Sequence, residues 1–83
     1  MAERVQLTIF GRPACHLCEE MTQQLAALAK ELEIHICHVD IDDDPTLADK
    51  LNDLVPLLMH DDRELSRYRL NLPALRAYLA EIR

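Results

Sequence analysis

Glycine is almost absent from this chain, with a single residue, Gly11, among 83. There is no Gly/Ser-rich stretch, no low-complexity segment and no internal repeat, so nothing joins a second unit and residues 1–83 form one domain. A domain of this size buries roughly 60–65% of the surface its unfolded chain exposes, enough for a modest core. No apolar run approaches the ~20 residues that a membrane span needs. Met1-Ala2-Glu3-Arg4 offers neither the apolar region nor the cleavage site of a signal peptide. A cytoplasmic monomer with no membrane contact is therefore expected. A Lys/Arg run is also missing, and the formal net charge is −6, which argues against nucleic acid as a partner. The acid concentrates in Asp40, Asp42, Asp43 and Asp44, whereas residues 63–83 carry Arg63, Arg67, Arg69, Arg76 and Arg83, read as a solvated surface. Three cysteines in such a chain do not make a structural disulfide framework.

What is present is a regular alternation of apolar patterns. Val5–Phe10 is β-branched, aromatic and partly alternating, which predicts a strand. From Cys15 to Glu33, Leu17, Met21, Leu25, Leu28 and Leu32 recur at helical spacing and mark one apolar face. Ile34–Ile41 predicts a second strand, and a strand–helix–strand unit makes the two strands parallel. Asp44-Pro45 resembles an N-cap with proline at the first helical position, followed by a short helix whose inner face is Leu47, Leu51 and Leu54. Val55–His60 predicts a third strand, Asp61-Asp62 a two-residue turn, and Arg63–Arg67 a fourth strand. Asn71 caps a last helix with Leu72, Leu75, Leu79 and Ile82 as its stripe. The order β-α-β-α-β-β-α implies an α/β domain, a mixed four-stranded sheet with helices on both faces.

The candidate chemistry lies at Cys15-His16-Leu17-Cys18, between the first strand and the long helix. A thiol at a helix N-terminus meets unpaired N–H groups and the positive end of the helix dipole, both of which favour thiolate. On a helical wheel the apolar face centres near Met21, with Cys18 roughly 60° and Cys15 roughly 120° away. Cys15 is thus the more exposed sulfur and the candidate nucleophile, and Cys18 the sheltered resolving thiol. His16 faces solvent. Arg12, three residues ahead, is a candidate source of positive potential or a solvated arginine. A zinc site needs two more ligands. Cys37 and His38 point to opposite sides of a strand, whereas His35 and Cys37 share a face. Cys37 is expected to be a small buried hydrophobe. Pro56 opens the third strand, either as a trans proline at an edge or as a cis bond that leaves the Val55 backbone free to pair with an extended peptide or glutathione.

Phe10-Gly11-Arg12-Pro13-Ala14-Cys15-His16-Leu17-Cys18-Glu19-Glu20, with Asp40-Ile41-Asp42 closing the second strand and Val55-Pro56 opening the third, resembles the glutaredoxin-like group of the thioredoxin superfamily over nearly the whole chain. The resemblance implies the thioredoxin/glutaredoxin fold, Cys15 as attacking and Cys18 as resolving cysteine, a cis Pro56, and Arg12 as the basic residue ahead of the nucleophile. It also implies Arg12, Val55 and Pro56 as substrate-binding residues and thiol–disulfide exchange on protein or glutathione disulfides. No cofactor is expected, glutathione entering as a co-substrate. The sequence departs from the usual pattern in two places. His16-Leu17 replaces the proline–aromatic pair between the cysteines, and Arg67-Tyr68-Arg69-Leu70-Asn71-Leu72 stands where glutaredoxins carry a Gly-Gly turn. A non-enzymatic peptide-binding module or redox switch is the alternative function, because fold alone does not fix activity. Metal or iron–sulfur binding by the two cysteines across two chains is a third.

Overall fold

A computed structural model describes residues 4–83, so the expected lead-in at residues 1–3 lies outside the described residues. The elements are β1 (Val5–Gly11), α1 (His16–Leu32), β2 (Ile34–Asp40), a 3₁₀ turn (Ile41–Asp43), α2 (Pro45–Leu51), β3 (Leu57–His60), β4 (Arg63–Arg67) and α3 (Leu72–Ile82). The sheet order is β2-β1-β3-β4. β1 and β2 run parallel from Val5 opposite Ile34 to Gly11 opposite Asp40. β3 is antiparallel to both β1 and β4. The expected mixed four-stranded sheet with three helices is therefore the observed one.

The capping chemistry explains where the helices begin. The Asp44 carboxylate accepts from the Thr46 N–H at 2.9 Å, and Asn71 accepts from the Ala74 N–H at 3.1 Å. Each is followed within two residues by a proline whose missing N–H needs no partner there. α1 ends on Glu33 at φ 54°, in the left-handed conformation common at helix C-termini.

One apolar layer unites the domain. Leu7 and Ile9 of β1, Ile34 of β2 and Leu58 of β3 meet Met21, Leu25 and Leu32 of α1 and Leu75 and Leu79 of α3. α1 and α3 therefore share one face of the sheet. Leu57 points the other way and is buried as well, so this end of the sheet is sheltered on both sides.

Several boundaries differ from the sequence pattern. Ile41 belongs to the 3₁₀ turn rather than to β2, because the Asp40 carboxylate accepts the Asp42 N–H at 2.9 Å and bends the chain away from the ladder. α2 stops at Leu51, and Leu54 lies in the turn that follows, its N–H bonded to the Leu51 carbonyl. β3 starts at Leu57 rather than Val55. Pro56 has no N–H to give a ladder, so its carbonyl makes a lone bridge to the Tyr68 N–H at 2.8 Å. Cys37 is half-buried on edge strand β2, not fully buried. Ile82 is 42% exposed at the last turn of α3, although the stripe pattern puts it inside.

Candidate functional site

The site is assembled where β1 hands over to α1. Ala14 adopts φ 56°, which turns the chain sharply and lets Cys15 stand as the N-cap of α1 in extended conformation. From there the Cys15 sulfur accepts the backbone N–H of Cys18 at 3.2 Å. It does what a serine or aspartate oxygen normally does at a helix start: it satisfies one of the orphan donors of the first turn. Cys15 and Cys18 are joined as a disulfide across that turn, with Cα atoms 5.2 Å apart. Their burial differs as the helical wheel predicts: Cys15 is half-buried and Cys18 is 6% exposed. His16 is exposed.

The chain's single glycine has a specific reason for its place. A Cβ on Gly11 would lie 3.2 Å from the Cys18 sulfur and 3.3 Å from its Cβ. The end of β1 thus passes so close under the resolving cysteine that only a hydrogen fits comfortably. A cavity of about 230 Å³ opens beside this contact, against Gly11, Cys18 and Thr22 on one side and His38 and Asp40 of β2 on the other. Gly11→Ala is expected to push the Cys18 side chain aside by a few tenths of an ångström and to lower stability by at most about 1–3 kcal/mol, to the extent that the side chain resists. It should also displace the Cys18 sulfur and make the Cys15–Cys18 bond easier to reduce. Equilibration of wild type and variant in the same glutathione redox buffer reads this out; equal oxidised fractions would remove the proposed constraint.

Arg12 is engaged rather than free. Its Nη1 donates to Asn52 Oδ1 at 3.0 Å and its Nη2 to Asp42 Oδ1 at 3.1 Å. The pair is partly solvated and contributes at most about 1 kcal/mol, but it ties the cysteine loop to the 3₁₀ turn and the end of α2. The Val55–Pro56 bond is cis. Phe10 lies opposite Leu57 in the β1–β3 register, so Val55 and Pro56 continue past the sheet at the same end as Gly11 and Arg12. Pro56 is buried and Val55 half-buried. Among the described residues, neither the N–H nor the carbonyl of Val55 takes part in a backbone hydrogen bond.

Beyond Val55 and Pro56, the connection from β4 to α3 adds Tyr68, whose hydroxyl donates to the Asp53 carbonyl at 2.7 Å. Arg67 beside it is held by Glu64 at 2.7 Å, and that hydrogen bond raises the arginine's pKa further. The sequence pattern had no place for Gly11 or Tyr68 as site residues. The rarity of glycine was a signal for the first, and the missing Gly-Gly turn a signal for the second. No group of three metal-ligating side chains gathers among the described residues, and Cys37 is unpaired. None of their helices is long and apolar enough to cross a membrane.

A vicinal cysteine pair capping α1, beside a cis-proline at the end of a mixed four-stranded sheet, defines a thioredoxin-fold protein with a redox-type site. Within that class the chain belongs to the glutaredoxin-like domain family (DUF836), whose model matches residues 6–80. It is similar to an uncharacterized protein of Mycobacterium tuberculosis, at 30% identity over 93% of this chain and 84% of the relative. Among solved structures, a protein from Nitrosomonas europaea is 36% identical, covers 94% of each chain and has a TM-score of 0.80. One from X. campestris is also 36% identical, over 90% of this chain and 96% of the other, with a TM-score of 0.67. Thioredoxin 1 of Thermosipho africanus shares the fold at 22% identity and a TM-score of 0.64, over 93% of this chain and 97% of the other.

Proposed function

We propose that this protein is a thiol–disulfide oxidoreductase that uses Cys15 and Cys18 on protein or glutathione disulfides. The observation that carries the reading is the position of the Cys15 sulfur, half-exposed at the start of α1 and already accepting a backbone N–H. In the reduced protein the same N–H, and the dipole of a 17-residue helix behind it, would stabilise the Cys15 thiolate. Because Asp42 balances the charge of Arg12, the helix terminus supplies most of this effect, and Arg12 braces the loop.

The reaction then runs in two exchanges. The Cys15 thiolate attacks one sulfur of the substrate disulfide; a mixed disulfide forms and one substrate thiolate leaves, taking a proton from solvent. The Cys18 thiolate next attacks the Cys15 sulfur, releasing the second substrate thiol and leaving the Cys15–Cys18 disulfide. Two electrons have passed to the substrate. An external thiol, glutathione or a reductase dithiol, returns them. Val55 offers its N–H and carbonyl to an extended substrate next to the reacting sulfurs, in the manner of an added strand.

Alkylation rate against pH in the reduced protein should show Cys15 ionising below an ordinary free cysteine, with Cys18 reacting slowly. Together with glutathione-dependent reduction of a disulfide substrate by the wild type, that result supports the reading. A Cys15 that titrates like a free cysteine, in a protein that reduces no disulfide, would sink it.

A further inference from the structure

The Cys18 thiol must give up a proton before it can attack the mixed disulfide, yet the residue is only 6% exposed. The strands beneath it offer a route. Leu7 and Ile9 of β1 face α1 and α3, and alternation puts Gly11 on the same face, under the Cys18 sulfur. In the parallel register Ile34, Ile36, His38 and Asp40 of β2 stand beside Val5, Leu7, Ile9 and Gly11. They therefore form the α1-facing row of β2. That row opens with two isoleucines packed into the core and ends with two polar, titratable side chains. The change falls where the row passes Cys18. Both side chains line the cavity of about 230 Å³ together with Cys18, and it has room for several waters. Arg12 lines it too, and its Nε is buried without a hydrogen-bond partner among the described residues. A buried donor of that kind is ordinarily satisfied by water.

We propose that His38 takes the proton of Cys18, through water in this cavity, when the resolving thiol attacks. The proposal rests on the oxidoreductase reading and adds a proton acceptor to its second exchange. The Cys18 S–H proton passes to the neutral imidazole. The electron pair left on sulfur forms the bond to the Cys15 sulfur, and the bond between Cys15 and the substrate sulfur breaks. The substrate thiolate leaves and takes a proton from solvent. His38 is exposed, so its imidazolium returns the extra proton to bulk water. When an external dithiol reopens the disulfide, the same path runs backwards and reprotonates Cys18. Three other charged groups face the cavity: Arg12 from the cysteine loop, Glu19 from α1 and Asp40 from β2. An arginine is a fixed cation and accepts no proton. Asp40 is already engaged, its Oδ1 accepting the Asp42 N–H at 2.9 Å. Both Glu19 and Asp40 are carboxylates, and near neutral pH a carboxylate matches a thiol less well than an imidazole does.

Single-turnover experiments on the full chain test this. Reduced protein is mixed with a disulfide peptide and quenched in acid at intervals, and the mixed disulfide is followed by mass spectrometry. In His38→Gln the adduct should form at the wild-type rate and decay roughly 100-fold more slowly, the lower end of what a positioned proton acceptor contributes. The wild-type decay rate should carry a pH-dependent limb that His38→Gln abolishes and added imidazole restores. Loss of packing alone would reproduce neither. Asp40→Asn and Glu19→Gln, which remove the competing carboxylates, should slow decay far less. Unchanged decay in His38→Gln, or a larger slowing in either carboxylate variant, would overturn the role of His38 alone. So would an equal slowing of formation and decay alongside a lower melting temperature. A wild type that forms no adduct would overturn the oxidoreductase reading and this proposal together.

Discussion

Cys15→Ser should reduce disulfide turnover to the uncatalysed background, whereas Cys18→Ser should accumulate a covalent adduct with the substrate. The asymmetry follows from geometry. Cys15 is half-exposed and caps α1, so its sulfur is reachable and its anion is met by the Cys18 N–H at 3.2 Å. Serine at the same position keeps the cap but is not a nucleophile near neutral pH, so the first exchange stops. Cys18 is 6% exposed and its sulfur faces Gly11. A bulky disulfide cannot approach it, yet it sits one helical turn from Cys15 and can attack that sulfur from within. Removing it leaves the mixed disulfide with no internal exit. Mass spectrometry of each variant after exposure to a disulfide peptide gives the answer: one peptide mass added to Cys18→Ser, none to Cys15→Ser. An adduct on Cys18 in the Cys15→Ser protein would reverse the assignment. Background rates in the wild type and in both variants would leave the fold as a binding module with idle cysteines.

The unequal exposure of the two cysteines is legible in the sequence because it depends on helical periodicity. Met21, Leu25 and Leu32 fix the buried face of α1, and the angular offsets of Cys15 and Cys18 from that face decide which sulfur is covered. The capped starts of α2 and α3 are legible for a similar reason: Asp44-Pro45 and Asn71 with Pro73 are local signals whose physics is local. What the sequence hides is contact across long separations and strain against residue type. Arg12 meets Asp42 and Asn52, 30 and 40 residues away, and no spacing rule predicts that a basic residue ahead of the cysteines spends its charge there. Ala14 and Tyr68 take positive φ although neither is glycine, asparagine or aspartate. The Tyr68 conformation is held by tertiary bonds to the Pro56 and Asp53 carbonyls, and such conformations cost of order 1–3 kcal/mol each that the surrounding structure must offset. Gly11 stands out as the only glycine, but its purpose emerges only from the distance to Cys18.

Leu7→Ala is expected to bring the domain close to unfolding at physiological temperature. Leu7 is fully buried at the centre of β1, which is itself an interior strand of the sheet, and it faces the layer shared by α1 and α3. Truncation removes apolar transfer energy and leaves a cavity that rigid neighbours on three elements fill poorly, so the loss should fall at about 2–5 kcal/mol. A chain of 83 residues has only roughly 4–12 kcal/mol of net stability to lose. In a domain this small each kilocalorie shifts the melting temperature by about 4–8 °C, so a fall of at least ~8 °C is anticipated in the reduced protein. Thr8 is the control. It is adjacent on β1, half-buried and on the opposite face, and Thr8→Ala should lower stability by less than about 1 kcal/mol. Thermal or urea unfolding of both variants decides the matter. Similar losses would mean that the α1–α3 side of β1 is not the principal core. A large loss confined to Leu7→Ala would place the foundation of the cysteine turn on this strand, since β1 runs from Leu7 straight to Gly11 beneath Cys18.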